Sequence, residues 1–116
     1  MAFYDQTITI ANGQTTTDAV DTGLLSTHGK TQLVGISFPA AMTSTAMTFT
    51  AASTSAGTYT TVKEVGGASN YSITVSTSSR IPLDPRVFVC CPFIKCVGGS
   101  SEGGARTLTL HFREVQ

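Results

Sequence analysis

Three cysteines, two histidines and seven carboxylates are the side chains of this sequence with the widest chemical reach, and their spacing decides what they could do. The cysteines fall together at Cys90, Cys91 and Cys96. An odd number in one short segment is a poor disulfide framework, so reduced thiols are expected. A tetrahedral zinc site would need a fourth ligand, and only His28 and His111 could supply one. Adjacent Cys90 and Cys91 would also point to opposite faces of a strand. No metal site is expected, and the thiols read as small hydrophobes.

Acid–base or glycosidase chemistry needs two carboxylates at a defined separation. Asp5, Asp18, Asp21, Asp84, Glu64, Glu102 and Glu114 show no such pairing; Glu114 reads as a solvated tail residue and Asp84 as the cap of a turn. A nucleophile needs a base and an orienting partner. His28 falls in a polar, glycine-flanked loop and His111 on the outward side of the last strand, so both read as surface residues. Gly98 to Gly104 is glycine-rich but lacks the lysine of a phosphate-binding loop, and no helix follows it. It reads as a flexible connection. Asn70-Tyr71-Ser72 fits the glycosylation triplet but lies inside an expected strand. Few aromatics and no basic cluster leave single-stranded nucleic acid neither a stacking platform nor a funnel. No catalytic residue, no cofactor and no enzymatic activity are expected.

The elements that would carry these side chains are strands. Thr107 to Arg113 sets Leu108, Leu110 and Phe112 on one side and Thr107, Thr109, His111 and Arg113 on the other, the two-residue period of a half-buried strand. Twenty residues are threonine, which suits the wet face of such strands. Gln6 to Ile10 forms a first strand, and Asn12-Gly13 predicts a hairpin that returns through Gln14 to Thr17 and continues at Ala19 to Asp21. Gly23 to Lys30 reads as an exposed connection. Gln32 to Phe38 follows with Val34, Ile36 and Phe38 inward, ended by Pro39. Met47, Phe49 and Ala51 face inward from the next strand, Thr58 to Val65 is a weaker one, and Asn70 to Val75 alternates Tyr71, Ile73 and Val75 with polar residues.

Ile81 and Leu83 flank Pro82 in an expected edge strand. Asp84-Pro85 predicts a single helical turn, capped by Asp84. Phe93 to Val97 then points Ile94 and Cys96 inward. No window keeps a helical period, so seven to nine short strands mean a sandwich or barrel; the expectation is an all-β, single-domain antiparallel β-sandwich spanning 1–116, with 1–6 as an N-terminal arm.

Seven basic residues balance seven acidic ones, and charged residues make up 12% of the 116 positions. No net field draws in nucleic acid or anionic lipid. Low charge favours association instead, with part of the surface covered by other subunits. The start has no basic segment or apolar run of a targeting signal, and no stretch approaches the roughly 20 apolar residues that span a bilayer. A chain without membrane contact, made in a cytoplasm, is expected.

From Leu33 onward the order of motifs resembles a recurrent small virion protein of tailed bacteriophages. The resemblance is carried by Gly35-Ile36-Ser37-Phe38-Pro39-Ala40-Ala41, Met47-Thr48-Phe49, Ala56-Gly57-Thr58-Tyr59, Ile81-Pro82-Leu83-Asp84-Pro85, Phe93-Ile94-Lys95-Cys96 and Ala105 to Leu110. The same order is similar to a pared-down galactose-binding-like, discoidin-type jelly roll, although the tryptophans and calcium-site carboxylates of that family are missing here. The resemblance implies a capsid decoration (cement) protein on the phage particle surface, made in the host bacterial cytoplasm. Its partners would be the major capsid protein and copies of itself, in a possible homotrimer. The alternative it implies is a carbohydrate-binding or host-adhesion module of a head or tail fibre. Phe3 and Tyr4, ahead of the first strand, are the candidate docking contacts.

Overall fold

A computed structural model describes residues 3–23 and 30–115, which fold into two antiparallel sheets. In chain order the strands are β1 (Phe3–Ile10), β2 (Val20–Asp21), β3 (Lys30–Ser37), β4 (Ala46–Ala52), β5 (Thr60–Thr61), β6 (Ser72–Thr74), β7 (Arg80–Pro82), β8 (Phe93–Gly98) and β9 (Arg106–Val115). One sheet has the order β1-β9-β3-β7. The other has the order β2-β8-β4-β5, with β6 also paired to β4. Pairing nests from the outside in: β1 with β9, β2 with β8, β3 with β7, and β4 with β5 and β6. A folded ribbon of strands rolled up on itself produces this nesting, which is the jelly-roll arrangement. The all-β expectation holds.

Alternation explains the core. Ile8 and Ile10 from β1, Leu33 and Ile36 from β3, and Leu108, Leu110 and Phe112 from β9 face Val20, Met47, Phe49, Ile94 and Cys96 of the second sheet. Val62, Leu83, Val87 and Phe88 join them from the connections. Phe49, Tyr71 and Phe88 pack as a trio with ring centroids 5.2–5.9 Å apart, and the Asp84 amide donates to the Tyr71 hydroxyl at 3.1 Å. Pro85–Phe88 is the expected helical turn, a 3-10 turn in which Asp84 accepts from the Arg86 amide at 3.0 Å. Among the described residues no helix is long and apolar enough to cross a membrane.

Three expectations change. The ladder between β3 and β9 shifts register between Leu33 and Gly35. That bulge hands the inward place to Leu33 and leaves Val34 half-buried. The hairpin after Ile10 does not form a second full strand. The Asn12-Gly13 turn is present, with Gly13 at φ 80°, but beyond it the chain straps the two sheets together. Thr17 bridges Ile10 of the first sheet while its amide donates to the Cys96 carbonyl of the second at 3.0 Å. Residues 3–6, read as part of an arm, are the first half of β1 and pair with β9 from Phe3 onward. His28 and most of the 23–30 connection lie outside the described residues.

Candidate functional site

Among the described residues the longest open strand edge is that of β1. Among the described residues its ladder runs to β9 on one side only, apart from the single bridge from Ile10 to Thr17. Phe3 is 72% exposed and Tyr4 48%, the two most N-terminal side chains of that edge. Tyr4 is held loosely, its hydroxyl 3.3 Å from Glu114 Oε2. An unpaired row of backbone donors and acceptors with aromatic side chains beside it is a surface for an extended partner or a neighbouring sheet.

Behind this edge lies a polar row. Asp5 and His111 are directly opposed in the ladder, with Gly35 on the far side of His111 and Ser37 two residues further along β3. His111 Nδ1 is 2.7 Å from Asp5 Oδ1, and Nε2 is 2.6 Å from Ser37 Oγ. A Cβ at Gly35 would meet the His111 ring at an ordinary 3.5 Å but would sit 3.3 Å from the Ile81 carbonyl oxygen, so the tight approach is to the β7 backbone. His111 faces outward as expected from the alternation, yet it is only 8% exposed and is no ordinary surface residue.

Hydroxyl, imidazole and carboxylate in sequence is the order of nucleophile, base and orienting acid. Acyl transfer also needs free donors for an oxyanion and a cleft for substrate. Here the amide following Ser37, that of Phe38, already donates to the Ser79 carbonyl at 3.0 Å. A cleft beside the second sheet is lined by other residues. The row links β1, β9 and β3 through their side chains.

A second polar assembly closes the opposite end of β1. Glu102, from the expected flexible loop, is 1% exposed. Its Oε1 accepts from the Thr43 amide at 2.7 Å and Arg106 Nε at 3.0 Å, and its Oε2 from the Ser44 amide at 2.9 Å. Its own backbone accepts from Gly13 and donates to Gln14, fastening the turn that follows Ile10. Burial alone would raise the carboxyl pKa, but the Thr43 amide, the hydroxyl and amide of Ser44 and the Arg106 guanidinium outweigh it and hold it at about 2. Nothing in a glycine-serine run signals such a clasp.

The cleft, about 490 Å³, lies beside the second sheet. Ala51, Thr60, Val62, Arg86, Cys90 and Cys91 are among its lining residues. All three thiols are unbridged. Burial and the neighbouring Cys90 push the Cys91 thiol up to about 12, and burial does the same to Cys96. Adjacent Cys90 and Cys91 do not diverge as they would on a strand: they follow the 3-10 turn, and their sulfurs are 4.0 Å apart. Among the described residues no group of three or more His, Cys, Asp or Glu side chains is placed to hold a metal ion.

No protein-family model matches the sequence, and no curated protein matches it. Among solved structures the chain is similar to the crystal structure of the SPBc2 prophage-derived protein YomS, with a TM-score of 0.53 and 14% sequence identity. The match covers 97% of this chain and 95% of that one. The likeness is one of fold, end to end.

Proposed function

We propose that this chain is a bacteriophage virion structural protein that decorates the capsid surface, docking through the open edge of β1. The observation that carries the reading is the exposure of Phe3 and Tyr4 on a strand eight residues long that is paired to β9 on one side and open along most of the other. The ordered motifs from Leu33 to Arg113 support a phage origin, as does the fold shared with a prophage-derived protein. The partner is the major capsid protein, with copies of this chain beside it as a homotrimer, and neither nucleic acid nor membrane takes part. The role is one of binding rather than catalysis. Aromatic side chains supply large, rigid contact area at low entropic cost, which suits them as anchors on an otherwise hydroxyl-rich surface.

The test is quantitative mass spectrometry of purified particles, paired with a binding assay on undecorated capsids. Decoration predicts a copy number comparable with that of the major capsid protein, and loss of capsid binding when Phe3 and Tyr4 are both replaced by alanine. A few copies per particle, or specific binding on a glycan array with no affinity for capsids, would move the chain to an adhesion device.

A further inference from the structure

The geometry points to a two-thiol site at Cys90 and Cys91 that captures one soft, thiol-seeking centre of low coordination number between the two sulfurs. The inference is independent of the capsid reading. It begins from the backbone. Pro85–Phe88 is a 3-10 turn, and Val89 continues it at φ −66°, ψ −19°. The Cys91 amide donates to the Phe88 carbonyl at 3.1 Å, so the chain is still coiled where the cysteines sit. Neighbouring side chains on a coiled backbone diverge by about 100–120°, not the 180° of a strand. Both sulfurs therefore reach one wall of the cleft, 4.0 Å apart, with Cys90 exposed and Cys91 at the base.

That spacing selects what can join them. A direct disulfide needs sulfurs about 2.05 Å apart and Cα atoms usually at least about 4.4 Å apart, whereas consecutive Cα atoms across a trans peptide lie only about 3.8 Å apart. A direct bond would be strained and readily reduced. A single bridging atom at about 2.3 Å from each sulfur, by contrast, spans 4.0 Å with an angle near 120°. Zinc would want four ligands, and among the described residues no third Cys, His, Asp or Glu completes a cluster. Two thiols that give up their protons on binding, with no other ligand, suit a soft centre such as Cu(I) or trivalent arsenic. Its remaining position would open into the cleft, against Arg86 and Val62.

Phenylarsine oxide is the probe. Two S–H bonds break, two As–S bonds form, the oxide oxygen leaves as water with both thiol protons, and arsenic remains trivalent throughout. Intact-mass spectrometry of the folded protein should show one phenylarsenic per chain, mapped by fragmentation to the segment holding Cys90 and Cys91. The adduct should survive excess monothiol and be released by a small dithiol. C90S, at an exposed position, should retain its fold by circular dichroism and weaken retention at least about a hundredfold, because the second As–S bond no longer forms within the chain. An adduct on Cys96, adducts that a monothiol strips from the unsubstituted protein, no adduct on the folded chain, or unchanged retention in C90S would each overturn the assignment.

Discussion

The first sheet ends in two edges that are finished in opposite ways. On one side β7 is three residues long, carries Arg80, and places Pro82 where an incoming strand would look for an amide. These are the devices by which natural sheets refuse a neighbour: brevity, charge and proline. On the other side β1 runs for eight residues with no proline and no basic side chain, and begins with two exposed aromatics. The second sheet resembles β7 in this respect, since β2 and β5 are two residues each and β6 three. Only one long described edge remains unprotected. The contrast supports the proposed docking through β1 rather than through the other edges.

Substitutions can erase or sharpen that contrast. The largest effect should come from replacing both Phe3 and Tyr4 with alanine. Capsid affinity should fall roughly a thousandfold, about 4 kcal/mol, while thermal stability stays nearly constant because both side chains are already exposed. A large drop in melting temperature would mean that the aromatics serve the fold and not a partner.

Next comes the clasp at the other end of β1. The Glu102 carboxyl titrates near 2 in the folded chain against an ordinary 4.5, so its contribution, about 3 kcal/mol, is complete above pH 4.5 and is lost as pH falls through 2. Glu102→Gln should reduce stability at neutral pH by a comparable amount and flatten the acid limb of denaturation curves. It should leave docking at Phe3 untouched. An unchanged acid limb would remove Glu102 as its source.

His111→Ala should cost about 2 kcal/mol by leaving Asp5 and Ser37 without their shared partner. Amide exchange in β1 should accelerate more than in β4, and a uniform acceleration would show that the row does not tie down the edge. The smallest effect is expected from Arg80→Thr combined with Pro82→Val, which lengthens the unprotected part of β7. Sedimentation velocity should then show weak self-association beyond that of the unsubstituted chain, since β7 offers only three residues.

Strand identity was legible in the sequence because period-two alternation survives in short windows, as β8 and β9 demonstrate: Ile94, Cys96, Leu108 and Leu110 are fully buried, as their spacing predicts. Alternation fails wherever the ladder slips. One bulge before Gly35 exchanged Leu33 for Val34, and nothing local in that run announces it. The candidate site was read unevenly for a related reason. Phe3 and Tyr4 could be singled out because exposed aromatics at the start of a strand need no partner to be noticed. The Asp5–His111–Ser37 row joins residues more than seventy positions apart, visible only once three strands lie side by side. Glu102 is hidden by its glycine and serine neighbours, and strand spacing places Cys90 and Cys91 on opposite faces where the chain makes a coiled turn.

The placement of β8 and β9 reaches back to how the protein is made. Each lies inside its sheet, β8 between β2 and β4, and β9 between β1 and β3. A nascent chain that has not yet delivered Phe93 onward therefore holds two half-sheets, each missing its middle lane. Assembly must wait until translation has passed both segments, and until then the ribosome-bound intermediate displays strand edges that the finished molecule conceals.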